Sequence, residues 1–204
     1  MDAPAKILLA SSNRGKLAEF QALAAAATIS IRELELFPEF TSLPQFEEAA
    51  PTFAENAAGK ASHYSRFTDF SVLADDSGLV VPAIGGGPGV RSARYAGPNA
   101  SDSEKIQKLV AEMRGKSGDE RKARFVCVLA VARRGRVYAV ASDFASGVLL
   151  ETSRGAGGFG YDPIFFINEA GKTFAELSRD EKNRLSHRGK AFRRMLVALA
   201  TTST

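Results

Sequence analysis

Apolar residues fill positions 7 to 10 without a break, and the large apolar residues that follow are spaced at Leu17, Phe20 and Leu23. This change from a continuous run to one-face spacing predicts a short buried strand over residues 6 to 11 and a helix after it. Ser12 and Asn13 stand between the two, where short polar side chains cap a helix. Ile29, Ile31, Leu34 and Leu36 alternate and predict a second strand over residues 29 to 36. From Phe37 to Pro51, three prolines and no period predict a loop. Thr52 and Glu55 have capping-box spacing and open a helix. Its polar stripe is Thr52, Asn56 and Lys60, and its packed face is Phe53, Ala57, Ala61 and Tyr64. Gly59 weakens that helix by about 1 kcal/mol relative to alanine, which points to close packing there, and His63 reads as surface or packing.

Farther along, Val72, Leu73 and Ala74 read as a short buried strand that ends at Asp75 and Asp76, with Ser77-Gly78 turning the chain into a second apolar run, Leu79 to Val81. Gly85 to Gly89 begin a flexible segment that delivers Arg91, Arg94 and Tyr95. Ser101 and Glu104 make another capping box, and Ile106, Leu109, Val110 and Met113 give its helix a purely structural apolar face. Residues Ala123 to Ala132 are apolar on both faces, as a central strand must be. Arg134-Gly135 turns that strand into its partner, Arg136 to Phe144, and completes a long hairpin. After a glycine-rich loop at 155 to 163 come a strand over Ile164 to Ile167 and a last helix with Ser186 as its cap. Phe192, Met195, Leu196 and Leu199 lie on the core face of that helix.

At 204 residues and 45% hydrophobic content the chain can bury a sizeable core in one domain over 1–204. No repeat or linker interrupts it. The single cysteine, Cys127, lies in the eight-residue run Phe125 to Ala132, the longest purely apolar stretch. That length is far short of a membrane span, and no leader opens the chain, so a cytoplasmic protein in a reducing compartment is expected. A net charge of +4 and a pI near 9.3 suit nucleic acid or a pocket for a small polyanion, and do not choose between them.

Candidate chemistry begins at Asp75-Asp76. Two adjacent carboxylates repel and cost desolvation, which a shared proton or a cation offsets. Oxygen-only ligands of this kind suit Mg²⁺. Taken alone, Asp-Asp-Ser-Gly is also an ordinary solvated turn. The first helix offers its N-terminal N–H groups to a phosphate, with Lys16 one turn in, though it lacks the Walker A glycine pattern. Lys60 is placed to look into a site, and Glu47-Glu48 lies in the loop just before its helix. The glycine-rich loop allows close backbone approach and presents Phe159 for stacking. His187 and Arg188 fall in the first turn of the last helix, where the dipole end is already positive, and that conflict is a functional signal.

Five blocks in order then resemble the inosine triphosphate pyrophosphatase family. They are Ala-Ser-Ser-Asn-Arg-Gly-Lys at 10 to 16, Thr-Phe-Ala-Glu-Asn-Ala-Ala-Gly-Lys-Ala at 52 to 61, Leu-Ala-Asp-Asp-Ser-Gly-Leu at 73 to 79, Gly-Gly-Phe-Gly-Tyr-Asp-Pro at 157 to 163 and Ser-His-Arg at 186 to 188. The resemblance covers nearly the whole chain. It implies an α/β fold with a mixed sheet, a long central hairpin and two lobes flanking a nucleotide-binding cleft. It also implies a homodimer that cleaves ITP, dITP or XTP to the monophosphate and pyrophosphate with Mg²⁺, and that binds neither nucleic acid nor membrane.

By the same resemblance Asp76 is the general base and a metal ligand, Glu48 the second metal carboxylate, and Asp75 their support. Ser11, Asn13, Lys16 and Lys60 hold the triphosphate, Phe159, Asp162, Lys182, His187 and Arg188 read the base, and Ser12, Arg14, Gly15, Ser77, Gly160 and Tyr161 complete the substrate-binding set. Ser12 stands where many members have glycine, and Gly59 replaces a larger residue; neither change removes a proposed functional group. Two other readings stay open: a non-catalytic nucleic-acid-binding protein, and a pyrophosphatase for other modified nucleotides.

Overall fold

The computed structural model describes residues 6–27 and 33–201. In chain order the elements are β1 (Lys6–Leu9), α1 (Arg14–Ala25), β2 (Glu33–Leu36), α2 (Phe53–Tyr64), β3 (Ser71–Val80), α3 (Asp102–Glu112), β4 (Lys122–Arg133), β5 (Arg136–Leu149), β6 (Phe165–Ile167), β7 (Lys172–Thr173), α4 (Arg179–Leu185) and α5 (His187–Thr201). The sheet is seven-stranded in the order β2-β1-β3-β4-β5-β6-β7. β1 runs parallel to β2 and β3, while β6 pairs antiparallel with β5 and β7, so the sheet is mixed as expected. β4, apolar on both faces, is its middle strand, and the β4–β5 turn places Arg134 and Gly135 at φ 49° and 79°, the left-handed pair that a tight hairpin turn requires. Among the described residues no helix is long and apolar enough to cross a membrane.

The chain divides into two compact units, one made of Met1–Asp76, Cys127–Asp143 and Arg188–Thr204, the other of Ser77–Val126 and Phe144–His187. In the first unit α1 and α5 bury Phe20, Leu23, Phe192, Met195, Leu196 and Leu199 with Ile7, Leu9, Leu73, Cys127, Leu129 and Val131 from the strands. Each such large side chain contributes about 1.5–3 kcal/mol relative to exposure. Cys127 is a core residue there, its thiol pushed up to about 12 by burial and by Asp75. In the second unit Leu109 and Met113 of α3 pack with Leu79, Val81, Phe125, Leu149, Phe165 and Phe174.

Four local expectations change. β3 does not stop at Asp75; it runs on through Val80 with Asp75, Asp76, Ser77 and Gly78 inside it, because both faces of this stretch are covered and the backbone stays extended. β5 extends to Leu149 rather than Phe144. Gly147 makes this possible: a Cβ there would stand 2.6 Å from Phe166 O and 2.8 Å from the Phe165 ring, so only glycine lets β6 pair at this point. Residues 179 to 185 form a separate helix, α4, under a Ser178–Glu181 capping box, and Ser186 is the extended residue between α4 and α5. The Gly85–Tyr95 segment is wound into 3-10 turns, with Ser92 Oγ accepting from Leu79 N at 2.9 Å. Ile29 and Ile31 lie outside the described residues; Leu34 and Leu36 are on β2.

Candidate active site

In the first unit two neighbouring carboxylates meet different surroundings. Pairing between β1 and β3 ends at Leu9 and Leu73, with a last bond from Ala10 N to Leu73 O at 2.8 Å. Asp75 and Asp76 therefore lie past the carboxyl end of β1, where ligands of parallel sheets gather, although their own strand continues. Asn13 caps α1, its side chain accepting from Lys16 N at 3.1 Å, and Ser11 Oγ accepts from Asn13 N at 3.0 Å. Ser12, Asn13, Arg14 and Gly15 are exposed at this helix start. One turn in, Lys16 Nζ donates to both oxygens of Asp75 at 3.0 and 2.9 Å. Arg188, buried in the first turn of α5, bonds Glu19 at 2.5 Å and lies 3.8 Å from Asp75 Oδ2. Burial alone pushes Asp75 upward, but Lys16, Lys60 and Arg188 outweigh it and hold the carboxyl well below the usual range. Asp75 is thus a fixed anion that organises three cations. Burial likewise opposes the charge on Arg188, and Glu19 and Asp75 restore it.

Asp76 has the opposite balance. Its Oδ2 is buried and has no hydrogen-bond partner among the described residues. Burial pushes its carboxyl up to about 6; Glu48 and Asp75 add to this, while a hydrogen bond from Asn56 and the charge of Lys60 oppose it. Lys60 Nζ bonds Glu48, and burial of that amine is outweighed by Asp75 and Glu48, which keep it charged. The residues expected to work together are brought together: Glu48, Lys60, Asp75 and Asp76 act on one another, with Lys16 on Asp75 and Ser77 half-buried next along β3. Among the described residues no three of His, Cys, Asp and Glu are grouped as a metal cage. A cation here would have few protein ligands and keep water on the rest, a pattern suited to a hard ion that dehydrates reluctantly.

Asn56 is the residue that sequence reading missed. It is fully buried on α2, its Oδ1 accepting from Ala50 N at 3.0 Å and its Nδ2 donating to Ala50 O at 3.3 Å. It therefore holds the end of the loop carrying Glu48 while bonding Asp76. Its place on the Thr52–Asn56–Lys60 stripe was visible, but the stripe says nothing of a partner six residues back. Thr52 caps α2 by accepting from Glu55 N at 3.2 Å, and Glu55 answers on the Thr52 hydroxyl at 2.7 Å rather than on the backbone.

A second cluster lies within the second unit. Asp162 Oδ2 accepts from Lys182 Nζ at 2.6 Å and from Phe159 N at 2.9 Å, and Lys182 Nζ stands 4.9 Å from the centre of the Phe159 ring. Phe159 is 42% exposed although it is a large apolar residue, so its ring is offered to solvent or to a ligand. Gly158 has φ 75°, and a Cβ there would fall 2.2 Å from Asp162 Oδ2. Gly160, at φ 62°, gives its N–H to Asp102 Oδ2 at 2.6 Å. Tyr161 is buried in the second core and donates its hydroxyl to Ser92 O at 3.0 Å. His187 is buried and stacks on Phe125 with ring centres 4.8 Å apart and 8° between planes. The neighbouring His187 and Arg188 thus serve different units, the histidine among aromatic rings and the arginine among carboxylates.

Residues 7–198 match the Ham1 family. A dITP/XTP pyrophosphatase of Geobacillus kaustophilus is 48% identical over 190 residues, covering 93% of this chain and 92% of that protein. One from Geobacter sulfurreducens is 46% identical over 186 residues, covering 91% and 92%. Among solved structures, that of a HAM1 protein from Coxiella burnetii superposes with a TM-score of 0.84 at 39% identity, covering 96% of this chain and 98% of that one.

Proposed function

The chain belongs to the Ham1 family, and from that premise we propose that it hydrolyses noncanonical purine nucleoside triphosphates, dITP, XTP and ITP, to the monophosphate and pyrophosphate. The observation that carries the mechanism is Asp76: a buried carboxylate with one oxygen unpartnered among the described residues, raised to about 6 by burial. A general base works best with a pKa near the operating pH, and before any cation binds this environment provides one, which a bound cation would lower toward the ionised form. Asp76 accepts a proton from water as the water oxygen bonds to the α-phosphorus, and the bond from that phosphorus to its bridging oxygen breaks to release pyrophosphate. Lys60 and Lys16 bring positive charge toward the phosphates, and the start of α1, with Ser11 to Gly15, adds N–H groups and a dipole end of the right sign. Ser77 continues the same edge.

The unpartnered Asp76 oxygen and nearby Glu48 fit a divalent cation, and Mg²⁺ is the ion proposed, with Glu48 and Asp76 as its protein ligands. When bound it would neutralise phosphate charge. In the second unit Phe159 stacks on the purine and Lys182 with Asp162 and Gly160 forms its recognition surface, which the buried Tyr161 and His187 support from the core. Donors suit a 6-oxo group and oppose a 6-amino group, a mismatch of about 1–3 kcal/mol, or roughly 5- to 150-fold. Arg188 is assigned with Asp75 to the charged cluster, so Arg188→Ala is expected to lower turnover of every triphosphate rather than to alter base preference alone. Loss of preference with undiminished turnover would return the arginine to base reading. A homodimer working in the cytoplasm belongs to this reading, and sedimentation of the purified protein checks the dimer. A non-catalytic nucleic-acid-binding role is not favoured.

Replacing Asp76 with Asn tests the mechanism. Turnover of dITP should fall about 10²- to 10⁴-fold, the range for a positioned acid or base. Turnover near that of the unaltered enzyme would remove Asp76 from the mechanism. Hydrolysis in ¹⁸O-water locates the attack: label in the monophosphate is expected, and label in pyrophosphate would place it at the β-phosphorus.

A further inference from the structure

The tip of the glycine-rich loop has little packing to hold it: nothing lies within 4 Å of where a Cβ on Gly160 would stand, and Phe159 is 42% exposed. A cavity of about 480 Å³ lies beside it, with Gly158 to Gly160 on one wall and Ile106 and Val110 of α3 on another. Residues 151 to 159 are all exposed, and Gly158 and Gly160 have positive φ. Hydrogen bonds must therefore set the loop's conformation. Phe159 N donates to Asp162 Oδ2 at 2.9 Å, and the next amide, Gly160 N, donates to Asp102 Oδ2 at 2.6 Å. These two peptide planes flank the Phe159 Cα, and because each plane is rigid, holding both restrains φ and ψ of Phe159 and so the direction of the Cα–Cβ bond that carries its ring.

Asp102 is itself fixed. It is the first residue of α3, next to the Ser101–Glu104 capping box, and its Oδ1 pairs with Lys105 Nζ at 2.6 Å. An acid in a first turn has an ordinary use in favouring the helix dipole. That use needs no particular partner, whereas Asp102 reaches a backbone amide 58 residues away in the loop that carries the exposed ring. We propose that Asp102 is a positioning residue for Phe159, tethering the loop from α3 so that the ring is held at the angle a purine requires. This rests on the base-stacking role of Phe159 proposed above, and it gives α3 a part in specificity.

The test compares Asp102→Ala, Asp102→Asn and Ser101→Ala. Amide exchange at Gly160 reads the tether without substrate: it should speed up in Asp102→Ala and stay near the original in Asp102→Asn, which keeps an acceptor. With dITP, Asp102→Ala should raise KM about tenfold with kcat within about twofold and a smaller preference over dATP, and Asp102→Asn should restore most of the loss. Ser101→Ala weakens the same helix end without touching the tether and should leave KM alone. Unchanged exchange at Gly160 in Asp102→Ala would overturn the tether. Faster exchange with unchanged KM and preference, or an equal KM rise in Ser101→Ala, would overturn its role in base binding. Turnover of dITP by the unaltered enzyme, measured first, tests the enzymatic reading separately.

Discussion

Asp75 and Asp76 are adjacent in sequence and opposite in behaviour, and the difference has a consequence for stability. Successive side chains of a strand point to opposite faces. Both are buried, but at Asp75 the charges of Lys16, Lys60 and Arg188 outweigh burial, whereas at Asp76 Glu48 and Asp75 add to it and Lys60 with Asn56 does not outweigh it. In the absence of a divalent cation the folded protein binds the Asp76 proton more tightly than the unfolded chain does. Relative to the ionised form, protonated Asp76 contributes up to about 3 kcal/mol, fully present below its ordinary value of 3.8 and lost as pH rises through about 6. Asp75 has the other sign: its contribution is present above the ordinary value and is lost only as pH falls through its depressed folded value. Thermal melts in chelator between pH 4 and 8 should show Asp76→Asn gaining on the original protein as pH rises through about 6. A difference independent of pH would contradict that account. Both aspartates were legible from sequence, and the resemblance gave each a role, but the charge balance that separates them was not, because the cations that hold Asp75 ionised come from positions 16, 60 and 188.

At the scale of elements, the motifs that cap helices were the most readable. Asn13, Thr52 and Ser101 all act as expected, since capping needs only residues three apart. Ser178–Glu181 has the same spacing and was passed over, hence the missed α4. Strand ends were harder. Nothing local announces that β3 continues through two aspartates, or that Gly147 admits Phe165 and prolongs β5; both depend on distant partners. Gly59 shows the sequence hint and its cause together. A Cβ there would stand 2.6 Å from the Phe46 ring, so a phenylalanine packed from the loop occupies the space a side chain would need. Gly59→Ala is expected to destabilise by about 1–3 kcal/mol through overpacking, and adding Phe46→Leu should recover part of the loss. Denaturant unfolding measures both; an unaltered midpoint in Gly59→Ala would mean that the ring moves aside without cost.

For the whole molecule, the α/β class and mixed sheet were legible through the family resemblance that the five motifs carry. Where the chain divides into its two compact units was not. The chain passes between them inside β3, β4 and β5 and at the start of α5, so no linker composition marks the boundaries. The same route explains how His187 and Arg188 serve different clusters. It also assigns Lys16, Lys60, Asp75 and Arg188 to one unit and Phe159, Asp162 and Lys182 to the other.

The central claim is tested most directly by pyrophosphate release from dITP, XTP, ITP, dATP, dGTP and dTTP, each with Mg²⁺ and with chelator. The account predicts metal-dependent release from dITP, XTP and ITP, with dATP slower by roughly 5- to 150-fold. No release from any of the three, or equal release from dATP, would contradict it.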